Sequence, residues 1–270
     1  LGHVGSTLLS RLLGIHPAVF SLREPQVLRT LAQAELAGAP WGEPELQARL
    51  GCFVALFART WTPGRRTLVK ATSLVGELAD RLSRRDAQAR AILMTVAPET
   101  YLETILGGPN SRQELVAAAR ARLARLQRRI GEPAARLEDL SEGEAAAMSW
   151  ACEMTALLAA AQAHPRRVLW IDFDGFLEDP RAGLAAALKR LHGRAEPAEV
   201  ETIAGSAYFD RYSKAPEYGY GPGLRRQVLE AARRDHAGEI RRGLDWLRRA
   251  ARHAAIGRAL DETWGVRHGA

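Results

Sequence analysis

The chain has 270 residues and 29.5 kDa, the size of one ordinary enzyme domain. With 47% hydrophobic and 26% charged residues it reads as a folded globular chain, and no apolar run approaches the roughly 20 residues that span a bilayer. The formal charge is +7, nearly all of it from Arg, since Lys70, Lys189 and Lys214 are the whole lysine complement. These cations are spread over many expected helices without interleaved aromatics, which favours a small polyanion such as a nucleotide over nucleic acid.

Leu1 stands directly against a glycine motif, so the expectation is of a start that lies upstream, with any signal or first strand there. Gly2 to Ser6 reads as a loop, and Thr7 to Leu13 as a short apolar helix stopped by Gly14 and Pro17. Val19 to Leu22 is extended. Helices follow over Gln26 to Ala37 and Pro44 to Trp61, from apolar recurrence at three- and four-residue spacing. Thr67 to Val69 is a β-type run and Leu74 to Leu82 helical. Ala91 to Val96 is near-continuously apolar, as in a strand buried on both faces of a parallel sheet. The two cysteines, Cys52 and Cys152, lie too far apart and too isolated for a zinc site, and both read as small hydrophobes on apolar helix faces.

Ser111 to Ile130 is an Arg-striped helix ended by Gly131, its cations read as a solvated face. Ser141 with Glu144 three residues on opens a second long helix in a capping-box pattern. Val168 to Ile171 is a buried strand, and Pro180 to Leu191 a helix stopped by Gly193. The stretch from Tyr208 to Gly223 is loop-rich, and the rest is helical. Strands alternating with helices predict an α/β fold with a parallel sheet, carried by one domain over 1–270 with a helical insertion and a helical tail.

The chemistry concentrates at the start. In Gly2-His3-Val4-Gly5-Ser6-Thr7-Leu8 a glycine loop runs into a helix, which presents free backbone N–H groups and the positive end of the helix dipole to a phosphate. A nucleoside-triphosphatase loop carries Lys after its last Gly; here Ser6 follows Gly5, which argues against Mg²⁺-dependent triphosphate chemistry. The plain structural alternative is a helix N-terminus capped by Ser and Thr.

Gly5-Ser6-Thr7-Leu8-Leu9, then His16-Pro17 and Arg23-Glu24-Pro25, resembles the opening of sulfotransferases that use 3′-phosphoadenosine-5′-phosphosulfate (PAPS), in the bacterial, tyrosylprotein-sulfotransferase-like layout. Four later segments fall in the family's order. Leu68 to Thr72 resembles its second strand. Ala91 to Pro98 with Thr104 resembles its 3′-phosphate strand and helix. Ile171 to Pro180 resembles its acidic segment, and Arg211 to Lys214 with Tyr218 and Tyr220 its late cofactor loop. The resemblance implies a P-loop, Rossmann-like three-layer architecture and sulfuryl transfer from PAPS to an acceptor hydroxyl or amine, without a metal. Gly5, Ser6, Thr7 and Leu8 would then hold the 5′ group, Thr104 and Arg112 the 3′-phosphate, and Ser213 and Lys214 a cofactor lid. Glu24 would be the general base, with His3 the next candidate, and Lys70 would meet the leaving oxygen. Val96 departs from the family at its 3′-phosphate Arg, and His3 stands where many members carry Arg or Lys.

Each assignment has a bland rival: a surface ion pair for Glu24, a polar turn for Ser213 and Lys214, helix capping for the acidic segment. Two other functions stay open at this level, a P-loop kinase and a non-catalytic nucleotide-binding relative. The partners expected are the nucleotide and an acceptor of unassigned class, with no nucleic acid, and the location expected is cytoplasmic.

Overall fold

The computed structural model describes residues 2–86, 88–133, 135–210 and 222–268. Helix α1 (Ser6–Leu13) leads to β1 (Val19–Arg23), α2 (Gln26–Leu36), α3 (Glu43–Phe57) and β2 (Arg66–Lys70). A 3₁₀ segment (Ser73–Leu78) runs into α4 (Ala79–Arg85) and β3 (Ala91–Thr95), followed by α5 (Pro98–Gly107), α6 (Pro109–Ile130) and α7 (Glu142–Ala163). Strand β4 (Val168–Asp172), α8 (Phe173–Glu178), α9 (Pro180–His192) and α10 (Pro197–Ala204) precede α11 (Pro222–Asp235), α12 (Ala237–Ala250) and α13 (Ala254–His268).

The strands pair in parallel, as their alternation with helices predicts, but in two separate pairs rather than one sheet. β1 lies beside β2 in a register that sets Arg23 against Lys70, and β3 beside β4 with Thr95 against Asp172. Helices dominate the rest, so the protein is mostly helical with two small parallel sheets. Leu8, Leu9, Leu12 and Leu13 of α1 join Met94 and Ile171 of the second pair in the main core, and Leu68 of β2 packs against the same cluster. A smaller core joins Leu28 and Leu31 of α2 to Leu46 and Leu50 of α3 and to Val75 and Leu78.

The centre of the molecule is a helix, not a sheet. In α7, residues from Ala146 to Leu158 are buried without interruption. Its sequence forbids an amphipathic reading, because Ala, Met, Trp and Leu occupy every face, and such a helix belongs inside. The capping box is present: the Ser141 hydroxyl accepts from the Glu144 N–H at 3.3 Å, and the Glu144 carboxylate accepts from the Ser141 N–H at 3.0 Å. The Trp150 indole N–H reaches the Val96 carbonyl at 3.4 Å, tying α7 to the end of β3.

Two expectations need correction. Cys152 is buried, but Cys52 is exposed on α3. The 111–130 helix does not carry only a solvated Arg face: Arg122 and Arg125 are buried, because that side of α6 packs on α7 and meets Glu153. The acidic segment caps helices as read, with Asp172 accepting from the Gly175 N–H and Asp179 from the Ala182 N–H. No helix among the described residues is long and apolar enough to cross a membrane.

Helices α7 and α12 touch backbone to backbone. A Cβ added at Gly143 would collide with the Glu239 carbonyl, and one at Gly243 would stand 2.6 Å from the Gly143 carbonyl. Neither obstacle is a flexible side-chain end. Gly143→Ala should therefore lower unfolding stability by about 1–3 kcal/mol, read as a lower urea midpoint at unchanged slope.

At the same junction Glu239 accepts from the Gly143 N–H at 2.7 Å. The Arg242 guanidinium beside it, with that N–H, holds its carboxyl at about 2, below the ordinary 4.5. A depressed carboxyl stabilises the fold fully above its unfolded value and loses that contribution as pH falls. Stability should therefore drop between pH 4.5 and 2, and the drop should be smaller in Glu239→Gln when denaturation is followed across that window.

Candidate active site

The loop before α1 turns on two residues in the left-handed region, His3 at φ 60° and Gly5 at φ 72°. Glycine adopts that conformation freely, whereas for a residue with a Cβ it costs about 1–2 kcal/mol. His3 is held there by contacts to α6: its Nε2 lies 3.2 Å from Glu114 Oε2 and its Nδ1 3.4 Å from Ser111 Oγ. Gly5 is needed a second time by packing, since a Cβ there would fall inside the Phe173 ring. Gly5 is also the N-cap of α1, and no side chain caps that end. The first-turn N–H groups of Ser6, Thr7 and Leu8 have no acceptor within the helix. The Leu8 side chain is in the core, so this residue contributes only backbone.

The β1–β2 register does the next step. Beyond the last strand pair, the Glu24 N–H donates to the Lys70 carbonyl at 2.7 Å, and the Lys70 ammonium pairs with the Glu24 carboxylate. Both side chains leave the C-terminal ends of parallel strands, where open α/β sheets bind ligands. Glu24 holds φ 52°, a third left-handed position at this site. The Lys70 side chain is 10% exposed and Glu24 46%.

The loop, Glu24 and Lys70 line one cavity of about 1090 Å³, together with Thr72, Ser73 and Thr104. Clefts of roughly 300–1,000 Å³ hold a drug-sized ligand, so this one has room for a nucleotide and a second molecule. Its lining carries five cations (Arg29, Lys70, Arg122, Arg125, Arg225) against three carboxylates (Glu24, Glu114, Glu153).

The candidate residues divide accordingly. His3, Gly5, Ser6, Thr7, Leu8, Glu24, Lys70 and Thr104 all line the cavity. The Thr104 hydroxyl donates to the Thr100 carbonyl at 2.7 Å. Arg112 does not join them: its guanidinium forks onto Glu142 at 2.5 and 2.9 Å, on the outer side of α6. Ser213 and Lys214 lie outside the described residues. Val96 is buried in the core, so the position that the resemblance aligns with a 3′-phosphate Arg is apolar and closed.

Several residues at the site carry no early signal. Phe173 seats Gly5, and Arg225 lies over the same ring at 5.1 Å while pairing with Asp174 at 2.7 Å. Arg122 and Arg125 were legible in principle: they fall on the face of α6 shared with Leu115 and Ala118, at helical spacing, rather than on the outer face with Arg112 and Arg120.

No protein-family model matches the chain, and no curated protein matches it.

If the Phe173 ring sets the need for glycine, Gly5→Ala and Phe173→Leu will not be additive. The double variant should lose at least about 0.5 kcal/mol less than the two single losses combined, because the smaller side chain gives way to the new methyl. Chemical denaturation of the four proteins reads this, and strict additivity would remove the ring from the argument.

Proposed function

We propose that the chain is a PAPS-dependent sulfotransferase with a P-loop type of α/β architecture. The observation that carries this reading is the meeting of three sequence-distant pieces on one cavity: an uncapped glycine loop, Glu24 and Lys70. The donor set fits the cofactor: the loop offers backbone donors and hydroxyls to a 5′ phosphate, and Thr104 and Arg225 line the same cavity beyond it.

When bound, the cofactor supplies a sulfuryl group joined to phosphate through one oxygen. Glu24 accepts the proton of the acceptor hydroxyl as its oxygen bonds to sulfur. Lys70 donates to the bridging oxygen, which keeps the electron pair of the breaking S–O bond and leaves on adenosine 3′,5′-bisphosphate. The Ser6, Thr7 and Leu8 N–H groups hold the phosphate in line with the acceptor. The Glu24–Lys70 ion pair brings base and cation together at one cavity wall, and on binding each would exchange that contact for its substrate.

A ligand that binds only the folded chain raises its melting temperature, by about 2.7 kcal/mol of stabilisation at 100 times its dissociation constant. Adenosine 3′,5′-bisphosphate should produce that rise without Mg²⁺. A rise with Mg²⁺–ATP and none with the bisphosphate would point to phosphoryl transfer instead. Lys70→Ala should lower kcat by roughly 10²-fold or more, and Glu24→Gln by about 10² to 10⁴ with bisphosphate affinity intact. Normal turnover in Glu24→Gln would place the base elsewhere, with His3 next.

A further inference from the structure

Part of the cavity lining takes no role in the nucleotide reading. In that part α2 contributes Leu36, and α6 contributes Ala117, Ala118 and Ala121, a face of small apolar side chains one helical turn long. No charged residue of α6 interrupts that face between Glu114 and Arg122. At its end the cavity meets Arg125 and Glu153, whose side chains are only 2% and 1% exposed.

These buried charges form a chain of ion pairs. Arg122 Nε and Arg125 Nη1 both donate to Glu153 Oε1, at 3.4 and 3.2 Å, while Arg125 Nη2 reaches Glu77 at 2.9 Å. Arg129 also pairs with Glu77, and Arg122 with Glu114 at 3.5 Å. Three guanidinium groups thus face three carboxylates, and the cluster is balanced. What it leaves over is one donor and one acceptor: Arg125 Nε and Glu153 Oε2 are buried with no hydrogen-bond partner among the described residues. Leaving such groups unpaired costs about 1–3 kcal/mol each, which a ligand able to donate and accept at once recovers. A carboxylate or phosphate would only accept, and would add a negative charge to a neutral cluster.

We propose that this end holds the acceptor, and that the acceptor is a neutral alcohol with a hydrocarbon body and a second hydroxyl or carboxamide at its far end. The reacting hydroxyl lies at Glu24, the body along the alanine face, and the second polar group at Arg125 and Glu153. The assignment rests on the sulfuryl-transfer reading above and narrows it. It disfavours sugars, which need polar partners along their whole length, and acidic peptides, which need unpaired cations.

The test uses α,ω-alkanediols of graded length, ω-hydroxycarboxylates of the same lengths and a monosaccharide, with PAPS as donor and release of adenosine 3′,5′-bisphosphate as the readout. At the best length, diols should exceed the matched hydroxycarboxylates by at least about tenfold in kcat/KM, since a site with an unpaired donor and acceptor discriminates by what pairs them. Ala121 is exposed on α6, so Ala121→Phe should fold and fill the apolar end. It should cut diol kcat/KM by at least about tenfold while the bisphosphate dissociation constant stays within about twofold. Val116→Phe, on the same helix but outside the cavity lining, should change neither. Preference for hydroxycarboxylates or the sugar, no turnover of any diol, or an unaltered diol rate in Ala121→Phe overturns the proposal while bisphosphate binding keeps the sulfuryl-transfer reading. Loss of bisphosphate binding in Ala121→Phe assigns the alanine face to the nucleotide and overturns it as well. If the parent chain does not bind the bisphosphate, the functional reading fails and takes this one with it.

Discussion

A helix that is buried on every side must be thin, and its neighbours must be fitted to it. Helix α7 meets that demand with alanine at nine of its 22 positions, and the consequences spread through the fold. Its first turn is so close to α12 that Gly143 faces the Glu239 carbonyl directly. Its middle places Trp150 under the end of β3. Its buried Glu153 obliges α6 to bring cations inward, because an unpaired carboxylate in that setting is far more costly than a paired one. The charged end of the cavity therefore follows from the packing of the core, not from a surface loop.

The same dependence explains what the sequence discloses. Local rules were enough for the capping box at Ser141, the left-handed stop at Gly193 and the strands at 91–95 and 168–172, since each is set by a few neighbouring residues. The pairing of Glu24 with Lys70 was legible only in outline: each follows a β-type run, and the parallel register that joins them is a long-range fact. Arg122 and Arg125 were hidden by company. They belong to a helix with many exposed arginines, and only their helical spacing with Leu115 and Ala118, on the side that packs on α7, separates the inward pair from the outward ones. Arg112 illustrates the reverse error, a position at a helix start that looks poised for an anion and turns outward to Glu142. The division of the strands into two pairs had no signal, because edge and central strands share the same short apolar runs.

Backbone strain concentrates where the chemistry is placed. His3 and Glu24 are the non-glycine residues in the left-handed region among those described, and both line the cavity. Each is held by bonds to another element: His3 by Ser111 and Glu114, Glu24 by the carbonyl and ammonium of Lys70. A strained residue persists only when its surroundings over-determine it, and such positions gather at sites whose geometry matters. Here the two residues frame the glycine loop from either side.

The unequal exposure of the Glu24–Lys70 pair gives the proposed reaction a direction. In that proposal the base must release its proton after each turnover, and Glu24, nearly half exposed, would hand it to water. Lys70 would have the opposite task, to keep a localised charge near the leaving oxygen, and it is the more enclosed of the two. In a setting with less water each interaction of that ammonium is stronger. Val96 is buried beyond the end of β3, and Arg225 of α11 lies over the Phe173 ring that also seats Gly5 while it pairs with Asp174. Loop, ring and cation are thus one packed unit. The cavity takes Glu24 and Lys70 from the strand ends and its other charges from helices, which is how a mostly helical protein with two short strand pairs assembles it.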